Sequence, residues 1–174
     1  MQDLISNNEE VTISRRPYFF ILLILPLTFL ALALLFDTPE NMYSGLYEIV
    51  IAPDILLTDY LAVGGFGAAL FNVSLIVLIN IFIIYNLKVK INGAIIAAIF
   101  TLTGFAFFGK TVFNIWPMYL GGIVYAKYKK IPFEQNIVVV MFSTCLAPMV
   151  SQFAFSANLP PPYGIIIGSL FGIA

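Results

Sequence analysis

One charged residue stands where a membrane helix would not ordinarily put it. Lys110 interrupts the apolar stretch GFAFFGKTVFNIWPMYLGG, between uncharged runs of 19 residues (91–109) and 16 residues (111–126). A lysine at mid-bilayer costs about 2.5–3.5 kcal/mol on insertion scales, so one held there faces protein, water or a ligand. Two readings follow. At the external end of a hairpin its stem snorkels to the interface at almost no cost. Held between helices beside Thr111 and Asn114, it offers positive charge to an anionic group such as a carboxylate and lines a solute path with Gln152. Gly104 and Gly109 allow close backbone approach or a broken helix there, and Trp116-Pro117 can fix the next helix at an interface.

Most other chemistry is missing. The chain has no His and a single cysteine, Cys145, in an apolar run. Alone it can build no Cys/His zinc site, no Ser-His or Cys-His pair and no internal disulfide. Cys145 reads as a small packed side chain. No catalytic residue, metal site or cofactor is expected, and enzymatic activity is not. Every Asp and Glu falls outside the proposed spans, which leaves no intramembrane carboxylate for a proton relay or a cation site. Solute movement would then rely on facilitated passage or on backbone carbonyls. Asn72, Asn80, Asn92, Thr101, Thr103, Ser143 and Thr144 read mostly as interhelical hydrogen-bond glue, at about 0.5–2 kcal/mol each. The stretch SANLPPPYG (156–164) could form a non-helical cavity wall.

The elements that must position these groups follow from composition. Of 174 residues, 61% are hydrophobic and 10% charged, against about 25% charged in soluble domains. Such a chain needs lipid as its solvent. Eight basic and nine acidic residues give a net charge of −1, with the basic ones in short clusters between apolar runs, so nucleic acid is not an expected partner.

The runs themselves locate the spans. Residues 17–36 are uncharged and carry Pro26 mid-span, which predicts a kink. A cleaved signal peptide is the alternative, from Ala31 and Ala33. Residues 37–59 are acidic and hold one amphipathic stretch, YSGLYEIVIAP, read as an external loop with a short interfacial helix. Residues 60–87 are uncharged, and the Gly64, Gly65, Gly67 cluster breaks the entry to a second span. Runs 91–109 and 111–126 make a hairpin of two short helices. Another span covers 135–157, interrupted by Pro148, and NLPPPYG must turn. An apolar helix then begins and reaches Ala174.

With the N-terminus inside, Arg15, Arg16, Lys88, Lys90, Lys127, Lys129 and Lys130 all fall on the cytoplasmic side, and Lys110 alone does not. The expected fold is all-α: a polytopic transmembrane helical bundle of about five full spans plus a truncated or re-entrant sixth. It divides into a cytoplasmic tail (1–16) and a transmembrane domain (17–174) in a cell membrane.

Gly164, Gly168 and Gly172 recur every four residues on one helical face and invite close approach of another helix. The expected partner is the remainder of a longer chain or an oligomer partner, since the sixth span reads as truncated. GAIIAAIFTLTG (93–104) and GIIIGSLFGIA (164–174) share a glycine, two isoleucines and a phenylalanine in register, as a duplicated membrane unit would.

The stretch from Asn92 to Lys130, above all FFGKTVFNIWPMYLGGIVYAKYKK, resembles a family of uncharacterised bacterial multi-pass membrane proteins, domain of unknown function 1576. The resemblance implies a longer chain in which the apolar unit occurs about twice, this sequence being roughly the N-terminal half, and a bacterial inner membrane. It brings no substrate and no functional residues. The leading functional expectation is a small-solute transporter or channel subunit. Its rival is a membrane scaffold working through the glycine face, and a membrane enzyme ranks third.

Overall fold

The computed structural model describes residues 15–54, 58–156 and 160–174. Of the expected tail, residues 1–14 lie outside the described residues, while Arg15 and Arg16 already belong to the first helix. All described elements are helical. Helix α1 (Arg15–Phe36) turns most of its side chains outward, Phe20, Ile24 and Leu35 among them, as a lipid-facing helix does. Pro26 sits inside it. Its carbonyl accepts a 2.8 Å hydrogen bond from the Ser74 hydroxyl, which ties α1 to α4 (Phe66–Asn86).

Helix α2 (Pro39–Ile51) starts where Thr38 caps the Asn41 amide and Pro39 presets the first turn. This is the amphipathic stretch of the acidic loop. Helix α3 (Tyr60–Gly64) is capped by Asp59 and ends at Gly65, whose φ of +84° lets the chain turn at once into α4. The glycine cluster thus breaks the entry as its spacing predicts. Gly45 of α2 lies directly on the backbone of Gly64, where a methyl group on either residue would strike the other's carbonyl.

Helix α4 is the central post, buried along most of its length. Val73, Ile76, Val77, Ile81 and Ile84 face a core shared with Ile95, Ile99 and Leu102 of α5 (Gly93–Phe105) and with Tyr119 of α6 (Ile115–Lys129). At about 1.5 Å per residue the 13 residues of α5 extend about 20 Å and the 15 of α6 about 22 Å. Neither reaches across a hydrocarbon layer of about 30 Å. Helix α7 (Phe133–Ser143), a 3₁₀ turn (Thr144–Leu146) and α8 (Ala147–Phe155) follow one another as a single broken rod. Pro148 in the first turn of α8 lacks the N–H that a continuous helix would use there. Helix α9 (Pro161–Ile173) folds back along α8. Of NLPPPYG, the first two residues, 158 and 159, lie outside the described residues; Pro160 stands at the N-cap and Pro161 opens α9.

Three segments are long and apolar enough to cross a membrane: Pro17–Phe36, Phe66–Asn86 and Phe133–Phe155. The all-helical class expected from the sequence holds, with three helical segments of spanning length; α5 and α6, at 13 and 15 residues, are shorter than these three. The glycine face also finds its partner inside the chain. Gly164 and Gly168 lie on the backbone of Ala154 and Val150 in α8, and Gly172 lies against Pro117 of α6. Most of the presumed interhelical glue instead bonds locally: Thr103, Ser143 and Thr144 hydroxyls return to carbonyls of their own turns, and Asn92 caps α5. Asn72 does join helices, and Asn80 accepts from the Tyr119 hydroxyl of α6.

Candidate functional site

The loop joining α5 to α6 is irregular, so its carbonyls need partners that the helices do not supply. Asn72 of α4 provides two. Its amide donates to the carbonyls of Ala106 and Lys110, each at 2.8 Å. Asn72 lies six residues, about 9 Å, from the Phe66 end of α4, so the hairpin tip stops short of that end. Thr58, just before α3, and Tyr60, at its start, lie on the tip. The Thr58 amide donates to the Phe108 carbonyl at 2.8 Å and the Tyr60 amide to that of Phe107 at 3.3 Å.

Within the tip Asn114 is the hub. Its Oδ1 accepts from the Thr111 amide at 2.8 Å, while the Thr111 hydroxyl accepts from the amides of Phe113 and Asn114. Its Nδ2 faces three acceptors: the Gly109 carbonyl at 2.7 Å, the Ser151 hydroxyl of α8 at 2.9 Å and Asp54 Oδ2 at 3.4 Å. The Tyr60 hydroxyl donates to the same Asp54 oxygen at 2.8 Å. Three separate segments therefore meet at one buried polar cluster.

Asp54 is 1% exposed. Burial pushes its carboxyl up from 3.8 to about 6, against the opposing hydrogen bonds from Tyr60, Thr58 and Ser151. Burial, and then the adjacent carboxylate, also drives the Tyr60 hydroxyl upward, so it stays a donor. The expectation that the spans hold no carboxylate is corrected: the third long segment begins at Phe133 rather than 135 and so takes in Glu134, exposed in its first turn, while among the described residues the one carboxylate enclosed among the helices is Asp54. The residue comes from the acidic loop, folded inward.

Lys110 is fully buried. Its ammonium lies 5.2 Å from the centre of the Phe105 ring and interacts with the Cys145 side chain of the 3₁₀ turn, yet has no hydrogen-bond partner among the described residues. The snorkelling reading is thereby corrected: the side chain is wholly enclosed, with Thr58 and Tyr60 laid on the neighbouring carbonyls of Phe108 and Phe107. Thr111 and Asn114 join Lys110 in the tip as the sequence suggests. Gln152 is only half-buried but its Oε1 is enclosed and unpartnered, next in sequence to Ser151. Gly164, Gly168 and Gly172 belong to the α8 and α6 contacts already described.

Among the described residues four enclosed polar atoms are left open: Asp54 Oδ1, Asn72 Oδ1, Lys110 Nζ and Gln152 Oε1. Each such group costs about 1–3 kcal/mol, more when charged, unless something binds it. Among the described residues no group of three or more His, Cys, Asp or Glu could hold a metal ion. Sequence reasoning misses Asp54 and Ser151. The one local sign for Asp54 is its setting in APDILL, an acid with apolar neighbours on both sides.

A model of the family described as protein of unknown function, DUF1576, matches residues 38–174. The chain belongs to the DUF1576 family. No curated protein and no solved structure matches it. In this DUF1576 member the matched region runs from the cap of α2 to the end of α9, and every residue of the polar cluster lies within it. Near the break in the third long segment, a groove of about 620 Å³ passes Met118, Gly122, Asn136, Val140, Ser143 and Leu146. It adjoins the 3₁₀ turn that carries Cys145.

Proposed function

We propose that this chain is part of a multi-pass membrane transporter or channel for a small solute, in which the tip of the α5–α6 hairpin forms the binding and gating region. The observation that carries the reading is the set of four enclosed, unpartnered polar atoms around a half-length hairpin. Irregular backbone and open polar groups persist at depth only where they are buried in protein or meet water or a ligand. The lysine and arginine distribution supports a cytoplasmic N-terminus in a cell membrane, with the α2–α3 segment external, and the family resemblance supports a bacterial inner membrane. The lipid bilayer is then the surrounding solvent, and the rest of a longer chain or an oligomer partner would complete the assembly. A scaffold working through the glycine face loses its motive, since α8 and α6 cover that face.

Cysteine accessibility tests this. Ser151→Cys and Asn114→Cys, each in a Cys145→Ala background, are challenged with impermeant thiol reagents in membrane vesicles of both orientations. Transport expects labelling from each side, at rates well below those of a surface cysteine. Complete protection from both sides would overturn it.

A further inference from the structure

The open oxygen of Asp54 has a consequence of its own, which rests on the transport reading for its purpose though not for its chemistry. A carboxylate 1% exposed, with Oδ2 accepting from Tyr60 and Asn114, with the side chains of Thr58 and Ser151 beside it, and with Oδ1 left without a hydrogen bond among the described residues, is unevenly solvated by the protein. A permanently charged group in that position would be furnished with donors at both oxygens or with a cation. Neither is present among the described residues. We propose that Asp54 is a proton-binding site: it takes up a proton on Oδ1 from the side where α2 and α3 lie, and serves as the coupling site of a proton-linked solute movement.

The groups around it fit this role. On α3, Tyr60 is held as a donor to Oδ2 and does not compete for the proton on Oδ1. Asn114 from the hairpin and Ser151 from α8 are neutral. Lys110, the one cation of the hairpin loop, makes no hydrogen bond to the carboxylate. Asp59, the other acid of the segment, is exposed and spends its Oδ1 on the amides of Leu61 and Ala62 as the α3 cap. Glu48 of α2 is exposed. Pro53, next to Asp54, is exposed as well, so the buried carboxyl sits one residue from the surface and a proton has a short way in. Protonation removes the buried charge and turns Oδ1 from an acceptor into a donor. Because Asn114 holds both Ser151 and the Gly109 carbonyl, that change reaches α8 and the hairpin backbone through one side chain.

The test is infrared spectroscopy of the full chain in proteoliposomes, following the protonated-carboxyl stretch as the pH is raised. The native protein is expected to lose a buried-carboxyl band across a midpoint near the value to which burial pushes Asp54, about 6. Asp54→Asn should lack that band at every pH, and Asp59→Asn should keep it. Tyr60→Phe guards against an Asp54→Asn protein that fails to fold, because it keeps the carboxyl and removes a hydrogen bond to its charged form. Its midpoint should move to higher pH. A band that persists in Asp54→Asn, the absence of any titrating buried carboxyl, or an unmoved midpoint in Tyr60→Phe would each overturn the proposal. A titrating Asp54 in a protein whose Ser151→Cys and Asn114→Cys variants stay sealed would keep the proton site and remove transport. Open cysteines without a titrating band would do the reverse.

Discussion

Two pairs of short helices lie in this molecule, α8 with α9 packed face to face and α5 with α6 joined at a loop and packed on other helices, and they are held by opposite means. Helices α8 and α9 touch backbone to backbone, with Gly164 and Gly168 seated on the carbonyls of Ala154 and Val150. No polar side chain is needed, because small residues let dispersion contacts accumulate over the whole length. Helices α5 and α6 instead lean on α4 and α7, and their tip is held by side-chain amides from Asn72 and Asn114. The first arrangement tolerates no added volume and is indifferent to charge. The second tolerates volume better and depends on which polar atoms are satisfied. A fold that needed only stability could have used the first solution twice.

The largest effect should come from breaking the steric hairpin. Gly168→Leu places a branched side chain on the Val150 carbonyl and should cost more than about 3 kcal/mol, at the upper end for overpacking. Reversible denaturation in mixed micelles, or loss of folded yield, reads this out. An unchanged midpoint would mean that α9 does not pack on α8 as described.

The electrostatic contrast comes next. Asp54 has a higher pKa in the folded chain than in the unfolded one, so the folded state binds more protons between about 4 and about 6. The stabilisation from protonating it is present below the unfolded value and is lost as pH rises through the folded one. Over that window the native protein should lose up to about 3 kcal/mol at about 1.4 kcal/mol per pKa unit. The same titration of Asp54→Asn should be flatter by that amount, and Gly168→Ala should leave the slope alone.

Removing the hub of the polar tip should cost less. Asn114→Ala deletes the acceptor for Thr111 and the donor to Gly109 and Ser151, at about 2 kcal/mol for the group, and should raise amide hydrogen exchange across residues 109–114 while α8–α9 stays protected. Equal deprotection in both hairpins would show that they open as one unit. The smallest change is expected at Lys110. Its ammonium has no hydrogen-bond partner among the described residues, but the Phe105 ring and the Cys145 side chain offset most of its burial cost, so Lys110→Met should stabilise the fold by only about 1 kcal/mol. A loss of several kcal/mol would mean that the charge is compensated by groups other than those described.

The sequence discloses these regions unevenly, for physical reasons. Long uncharged runs make α1 and α4 legible, and a glycine cluster makes the α3–α4 break legible, because lipid and backbone geometry act on contiguous residues. Undersized runs around Lys110 likewise mark two short helices joined by a loop. Asp54 is different. Nothing in its immediate neighbours separates it firmly from Asp59, which stays on the surface as a helix cap. What buries Asp54 is the pair of backbone hydrogen bonds that lay Thr58 and Tyr60 on Phe108 and Phe107, some fifty residues further on. The fate of Lys110 follows from the same event. A snorkelling argument considers the lysine and the membrane, and here a third party, the folded loop, takes the water's place. The asparagines and threonines show the converse limit. A hydroxyl or amide in a helix has its own carbonyl ladder within reach, and Thr103, Ser143 and Thr144 take that local option.

The amide of Asn72 also sets an order of events during synthesis. Two buried carbonyls of the α5–α6 loop would be left without a partner in its absence, and unpartnered carbonyls oppose burial of the loop. Helix α4 leaves the ribosome before α5, so the receiving side chain is already in place when the hairpin arrives, and Thr58 and Tyr60 precede both. A rearrangement that moved residues 93–129 ahead of residues 39–86 would keep every contact partner in the chain and still deprive the hairpin of its berth at the moment of insertion.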